Sequence, residues 1–81
     1  MKLTVLLFAA AKEAAGQSKI DIELPDGANV GTLRQTLADS WPRLTAAAAT
    51  LHIAVNGEFA ADDLTLHKND EVACFPPVSG G

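Results

Sequence analysis

One stretch of this chain, residues 29–41, carries a clear helical repeat. Its apolar residues recur at intervals of three and four and form one stripe along a helix: Val30, Leu33, Leu37 and Trp41. Asn29 before the stripe is a suitable N-cap, and Pro42 after it cannot continue a helix. The stripe therefore predicts a single main helix that packs on one face of a sheet.

Alternation and turn chemistry mark the strands of that sheet. Residues 3–8 form a short apolar run, typical of a central strand with both faces covered. Residues 19–24 alternate strictly between apolar and charged side chains, which predicts a half-buried antiparallel strand. Residues 52–60 form a hairpin around Asn56-Gly57, because both central positions of a type I′ turn need a positive φ.

The segments between these strands are harder to assign. Residues 9–16 have helix-forming composition but are too short to stand alone, so we expect a turn or a single helical turn ending at Gly16. Residues 44–51 fit either a loose helical turn or a loop. After a polar turn at residues 68–70, a last strand covers residues 71–75.

The resulting order is strand, strand, helix, strand, short strand, strand, which is the order of a ubiquitin-like β-grasp domain. The predicted fold class is therefore α+β, a mixed sheet with one main helix on one face. Residues 1–81 make a single domain, because a chain this short has no room for a second core. If the first and last strands are parallel neighbours, residues 75–81 project freely from the centre of the sheet.

Composition and charge exclude several classes of function. Lys and Arg total six and the net charge is -4, so a basic stripe for nucleic acid is missing, and the acidic balance suits basic partner surfaces. No apolar run approaches the roughly 20 residues that a transmembrane helix needs. The one cysteine, Cys74, excludes an internal disulfide and a cysteine-ligated iron–sulfur cluster, and it favours a cytoplasmic setting. Residues 1–16 have the outline of a signal peptide, but losing residues 3–11 would remove the best strand, so we expect no secretory signal.

The sequence contains no ordinary catalytic motif. It has no phosphate loop, no paired Cys or His at metal spacing and no nucleophile elbow, so we expect neither a bound metal nor a bound cofactor. His52 and His67 are isolated and fit a strand edge and a turn. Cys74 alternates with Val72, which predicts a buried thiol. Four loop carboxylates are expected to be solvated charges: Asp62, Asp63, Asp70 and Glu71.

The last residues of the chain are the remaining candidate for chemistry. Pro76 and Pro77 fix φ and hold the chain extended as it leaves the last strand. Gly80 and Gly81 have no Cβ, so their backbone can enter a channel too narrow for side chains. The reactive group is then the terminal carboxylate, which a partner enzyme can activate with ATP as an acyl-adenylate. The competing explanation is a frayed terminus, where small residues often gather.

Three stretches of the sequence together resemble a known family. They are "LLFAAAKEAAG" at residues 6–16, "VNGEF" at residues 55–59 and "NDEVACFPPVSGG" at residues 69–81. They resemble the small, sulfur-carrying subunits of molybdopterin synthase over nearly the whole chain, and the Phe-Pro-Pro-Val-Ser-Gly-Gly ending is the most specific part. A double glycine alone also fits a thiamine-pathway or tRNA-type sulfur carrier or a ubiquitin-like modifier. A plain β-grasp binding module, in which the tail has no chemical role, is the other alternative.

The resemblance implies a mechanism. An adenylyltransferase of the ubiquitin-activating type would use ATP to adenylate Gly81, and a persulfide donor would convert it to a thiocarboxylate. Gly80 and Gly81 would then enter the active site of the large synthase subunit, where the sulfur passes to cyclic pyranopterin monophosphate. The chain would be a sulfur-donating subunit, with the catalytic side chains in the large subunit. The complete synthase would contain two small and two large subunits.

Strand alternation predicts where a partner docks. In the first and last strands, one set of side chains meets the helix and the other set faces away from it: Leu6, Phe8, Ala73 and Phe75. With Phe59 at its edge, this far face would be one exposed apolar patch, which would mark an interface unless the chain's own loops cover it. The resemblance also implies a docking face here. The expected partner-binding residues are Phe8, Phe59, Phe75, Pro76, Pro77, Val78 and Ser79.

Overall fold

The computed structural model describes residues 1–77, which form one mixed sheet with its helices. The elements in chain order are β1 (Lys2–Leu7), α1 (Ala9–Ala15), β2 (Lys19–Glu23), α2 (Val30–Ser40), a 3-10 helix (Pro42–Leu44), α3 (Thr45–Ala48), β3 (His52–Val55), β4 (Glu58–Phe59) and β5 (Val72–Phe75). None of the helices in this described part is long and apolar enough to cross a membrane.

The strands lie side by side in the order β2-β1-β5-β3-β4. β1 and β5 run parallel, and the other neighbouring strands run antiparallel. The ubiquitin-like β-grasp prediction, with parallel first and last strands, is therefore confirmed. This topology places β5 in the middle of the sheet, so the chain leaves the fold from a central strand.

The helix α2 closes the core as the sequence predicts. The Asn29 side chain accepts a hydrogen bond at 2.8 Å from the backbone N–H three residues later, which confirms the N-cap. Val30, Leu33 and Leu37 are fully buried and join the inward-facing strand residues in one hydrophobic cluster. Trp41 differs from the prediction, because α2 ends one residue before it and its side chain is only partly buried.

Residues 9–16 form more structure than expected. They contain the seven-residue helix α1 rather than a turn or a single helical turn. Ala11 is buried and Ala14 and Ala15 pack against the core, so tertiary contacts supply the stability that a short isolated helix lacks. The predicted end is confirmed, because Gly16 has a φ of 77° and its N–H donates to a carbonyl of α1.

The ambiguous residues 44–51 contain α3, which follows the 3-10 helix directly. Leu44 and Ala48 are buried here. Arg34 of α2 fixes the segment, because its Nη1 atom donates hydrogen bonds to the carbonyls of Ala48 at 2.6 Å and Leu51 at 2.8 Å. These partners are distant in sequence, so local composition does not reveal the contact.

Two turns, one between β3 and β4 and one before β5, contain residues with a positive φ. Asn56 and Gly57 have φ values of 53° and 85°, as a type I′ turn requires. Asn69, in the predicted polar turn at residues 68–70, has a φ of 74°, in the left-handed region that Asn tolerates. Both turns therefore depend on residues that tolerate a positive φ.

The prediction of solvated loop carboxylates is wrong for Asp70. Its side chain is only 15% exposed. It accepts hydrogen bonds from the backbone N–H of His67 at 2.7 Å and from the side chain of Asn56 at 3.0 Å, so it joins two turns. Asp62 also has a partner, because the Arg34 guanidinium donates to it at 3.0 and 3.1 Å, although its side chain stays 60% exposed.

Candidate functional site

On the sheet face away from α2, side chains of β1, β3, β4 and β5 line an open groove. The groove has a volume of about 300 Å³ and is lined by Leu6, Phe8, Ala54, Gly57, Phe59, Glu71, Ala73 and Phe75. Strand register explains this set: Leu6 lies beside Ala73, and Ala73 lies beside Ala54. Ala54 lies opposite Phe59 across the hairpin, so all four share one face. We refer to this surface as the aromatic groove.

Three phenylalanine rings form the wall of the aromatic groove. Phe8 and Phe75 are stacked, with ring centroids 4.8 Å apart and an interplanar angle of 6°. Phe59 meets Phe75 edge to face, with centroids 6.2 Å apart. Phe8 is 42% exposed and Phe59 is 75% exposed, so no loop within residues 1–77 covers them. The prediction that the three phenylalanines share one exposed face is confirmed; their binding role stays a prediction.

The position of Phe8 is set where β1 ends and α1 begins. Its backbone N–H donates to the carbonyl of Cys74 at 3.2 Å, which extends the pairing of β1 with β5 by one residue. The chain then turns sharply at Ala9, which has a positive φ of 52°, uncommon for a residue with a Cβ. This turn lets Phe8 stay on the open face while α1 returns to the core side.

The described part of the groove contains no nucleophile or metal site. Cys74 lies next to Phe75 but faces the core, as predicted, and burial raises the pKa of its thiol to about 12. The thiol is thus protonated and unreactive at neutral pH. Within residues 1–77, no group of three His, Cys, Asp or Glu side chains could hold a metal ion. His52 and His67 are both exposed, at the strand and turn positions that the sequence predicts.

Sequence reasoning missed three residues of the aromatic groove. Ala54 could have been found, because a two-residue turn at Asn56-Gly57 sets it opposite Phe59. Gly57 and Glu71 could not, because their place depends on a contact between two turns. The backbone N–H of Glu71 donates to the side chain of Asn56 at 2.9 Å. The order of apolar and polar residues in either segment does not predict this hydrogen bond.

The tail begins at one end of the aromatic groove. Pro76 follows β5 directly and is partly buried, whereas Pro77 is exposed. The remaining predicted tail residues, Val78, Ser79, Gly80 and Gly81, lie outside the described residues. Their predicted roles stay predictions, and the observed geometry fixes only where the tail starts.

Comparison with known proteins adds to this geometry. A family model described as the ThiS family matches residues 5–81, which include every groove residue and the double glycine. This chain belongs to the ThiS family. The ThiS family match therefore covers both features that the sequence singles out, the aromatic groove and the tail.

Individual relatives align over almost the whole chain. A molybdopterin synthase sulfur carrier subunit from Dictyostelium discoideum is 38% identical and is covered to 93%, with 95% of this chain aligned. A Pyrococcus furiosus structure described as subunit 1 of a molybdopterin converting factor has a TM-score of 0.86 at 32% identity, covering 96% of this chain and 99% of its own. The small archaeal modifier protein 1 of Haloferax volcanii has a TM-score of 0.83 at 28% identity, with coverage of 95% and 98%.

Proposed function

We propose that this chain is the sulfur-carrier subunit of a molybdopterin synthase. In this role Gly81 is adenylated, converted to a thiocarboxylate and used to donate sulfur to cyclic pyranopterin monophosphate, which forms molybdopterin. The relative from Dictyostelium discoideum carries the name of this subunit and aligns over 95% of the chain. The proposed reacting group is the carboxyl of Gly81, in the Phe-Pro-Pro-Val-Ser-Gly-Gly stretch that is the most specific part of the resemblance.

The observation that carries the proposal is the double position of Phe75. Its ring contacts Phe8 and Phe59 in the aromatic groove, and it is also the last residue of the central strand β5. A partner that covers the groove therefore also holds Phe75, the residue after which the tail begins. Six residues separate Phe75 from Gly81, so the terminal carboxyl can lie at most roughly 20 Å from Phe75, because each residue spans at most about 3.3–3.6 Å. Docking thus limits where the terminal carboxyl can reach.

The proposed chemistry divides the work between this chain and its partners. A terminal carboxylate oxygen attacks the α-phosphorus of ATP in the adenylyltransferase, releasing pyrophosphate and forming the acyl-adenylate. The outer sulfur of a persulfide donor then attacks the acyl carbon and displaces AMP, which forms an acyl disulfide with the donor. A second thiol attacks the donor's inner sulfur and breaks the S–S bond, so the thiocarboxylate is released and a disulfide forms on the donor. ATP is a substrate of the activating enzyme, so the carrier itself needs no bound cofactor. The acid–base side chains for sulfur transfer belong to the large subunit.

The proposed assembly rests on the family resemblance and is consistent with the product. A dithiolene contains two sulfur atoms, so two loaded carriers act for each molybdopterin formed. We place two small and two large subunits in the complete synthase, with the aromatic groove as the face that meets the large subunit. A single buried thiol suits the reducing cytoplasm, which is the compartment we propose.

The test changes the end of the tail and measures molybdopterin formation with purified large subunit, activating enzyme, ATP and a sulfur source. Deleting Gly81, or adding one residue after it, should abolish product formation without changing the melting temperature. The deletion moves the carboxyl by about 3.3–3.6 Å, as far as the near-attack distance of about 3–3.5 Å itself. The extension replaces the reacting carboxyl with an amide.

Two further variants and a mass measurement sharpen this test. Gly81→Ala keeps the carboxyl in place and should retain more activity than the deletion, whereas Gly80→Trp should be rejected by a narrow channel. On protein from cells, intact mass should show sulfur in place of one oxygen. A conjugated modifier would instead give high-mass adducts, and a plain binding module would give neither. Product formation at the normal rate by the deleted chain would rule out the terminal carboxyl as the carrier.

A further inference from the structure

A largely buried cation on α2 has no part in the proposed sulfur chemistry. Arg34 has only 18% of its side chain exposed. Its guanidinium donates to the carbonyls of Ala48 and Leu51 at 2.6 and 2.8 Å. On its other side it donates to the carboxylate of Asp62 at 3.0 and 3.1 Å. An arginine suits this position, because its planar fork presents several donors in fixed directions, whereas a lysine carries a single flexible ammonium group.

The partners of Arg34 lie at the two ends of the β3–β4 hairpin. Leu51 comes directly before β3, and Asp62 is the third residue after β4. The guanidinium therefore joins the chain that enters the hairpin to the chain that leaves it. Asp62 is also held at its backbone, because its carbonyl accepts a hydrogen bond from the N–H of Gly31 at 2.9 Å. The helix α2 thus holds the segment after β4 at two points.

The strand β4 has few contacts of its own to keep it in place. It contains two residues, both exposed, lies at the edge of the sheet and pairs with β3. Just after it, the N–H of Ala60 donates to the carbonyl of Ile53 at 2.9 Å. A two-stranded hairpin is only marginally stable in water, so contacts outside its ladder decide how often the edge strand opens. Phe59, the second residue of β4, moves with that strand.

We propose that Arg34 is a positioning residue for Phe59 in the aromatic groove, and this inference rests on the sulfur-carrier function proposed above. Arg34 does not line the groove. It holds both ends of the hairpin from α2 and so keeps β4 paired with β3, which keeps the Phe59 ring against that of Phe75. Without the guanidinium, two backbone carbonyls lose their charge-assisted hydrogen bonds and β4 opens more often. The large subunit would then meet a groove whose third ring is not held in place.

The first measurement is amide hydrogen exchange on the full chain, which needs no partner. The N–H of Ala60 reports opening of β4, and the N–H of Leu7, which donates to a carbonyl at 2.8 Å beside β1, reports opening of the whole sheet. In Arg34→Met, exchange at Ala60 should accelerate about fivefold to tenfold more than at Leu7. Leu33→Ala is the matched control, because it weakens the core from the neighbouring position on α2 and keeps the guanidinium. There, exchange at Leu7 should accelerate at least as much as at Ala60.

The second measurement connects Arg34 to docking. Calorimetry with purified large subunit should show that Arg34→Met lowers affinity about fivefold, whereas Leu33→Ala leaves it unchanged. In a chain that already carries Phe59→Ala, Arg34→Met should cause no further loss, because the ring that it positions is gone. Asp62→Ala removes one end of the bridge at a side chain that is 60% exposed, so it should fold and shift both measurements in the same direction by less. Melting curves establish that each variant is folded.

The outcomes separate a positioning role from a general effect on stability. Equal acceleration of exchange at Ala60 and Leu7 in the Arg34 and Asp62 variants overturns the inference, because the arginine would then stabilise the whole fold alike. A full loss of affinity from Arg34→Met in the Phe59→Ala chain also overturns it. Faster exchange at Ala60 with unchanged affinity overturns it too, but leaves the sulfur-carrier proposal standing. Absent docking of the unchanged chain overturns both.

Discussion

Along β1 and β5, neighbouring residues have opposite surroundings. Val5, Val72 and Cys74 face α2 and have no exposed surface. The side chains at the alternate positions face the other way. Among them, Phe8, which directly follows β1, is 42% exposed. The helix α2 of the same chain covers the first face, whereas nothing within residues 1–77 covers the second.

The difference between the faces separates folding from function. Burial on the α2 face stabilises the folded chain, because each fully buried aliphatic side chain contributes about 1.5–3 kcal/mol. The rings of the aromatic groove leave apolar surface exposed to water, because Phe8 is 42% exposed and Phe59 is 75% exposed. A contiguous exposed apolar surface of this kind marks an interaction site. We infer that the first face determines whether the domain exists and the second determines what it binds.

The largest expected effect comes from breaking the α2 face. Leu33→Ala should lower the free energy of unfolding by about 2–5 kcal/mol, because Leu33 is fully buried and the change leaves a cavity. Urea denaturation with two-state analysis measures the loss. The protein that remains folded should dock normally, since Leu33 does not contact the groove. A loss below about 1 kcal/mol would show that the core readily collapses around the cavity and that α2 is not what closes it.

The next effect breaks the aromatic face while leaving the core intact. Phe8→Asp should weaken binding to the large subunit by about 2 kcal/mol or more, because a central interface aromatic is lost and a charge replaces it. Folding should survive, since Phe8 is the N-cap of α1 and Asp is a favourable N-cap residue. Affinity is measured by calorimetry and folding by thermal melting.

The chain offers a matched control for this change. Leu64 is 44% exposed, close to the 42% of Phe8, but it does not line the aromatic groove. Leu64→Asp should therefore leave affinity within a few tenths of a kcal/mol of the unchanged chain, as ordinary surface substitutions do. Equal losses for both variants would mean that added charge, rather than the groove, weakens binding.

The two faces also differ in how far the sequence predicted them. Alternation placed Leu6, Phe8, Ala73 and Phe75 on one face, because the period of a strand assigns every second side chain to the same side. The helical stripe and the Asn56-Gly57 turn fixed α2 and the hairpin in the same local way. These features depend on residues that are close in sequence, so they can be predicted before the fold is known.

What escaped prediction depends on contacts between distant residues. The length of α1 comes from burial of Ala11, and α3 is held by Arg34, neither of which a short window contains. Asp70 was expected to be a solvated charge, because the sequence does not show that the hairpin turn lies beside it. Gly57 and Glu71 of the aromatic groove were missed for the same reason. Tertiary packing, rather than local propensity, decides such positions.

The smallest predicted effect concerns Asp70, which joins two turns beside the aromatic groove. The backbone N–H of His67 and then the Asn56 side chain donate to Asp70, and these hydrogen bonds lower the pKa of its carboxyl. A carboxyl whose pKa is lower in the folded chain contributes stability above its unfolded pKa of about 3.9, and that contribution is lost as the pH falls through the lower folded value.

Asp70→Asn should therefore lower the free energy of unfolding by less than about 1 kcal/mol at neutral pH, since solvent screens a site near the surface. Urea denaturation from about pH 7 to about pH 2.5 should show the gap to the unchanged chain shrinking below about pH 4, while Asp63→Asn, at an exposed carboxylate, shows no such gap. A gap that stayed constant to the lowest pH would mean that the shape of the side chain, and not its charge, joins the two turns.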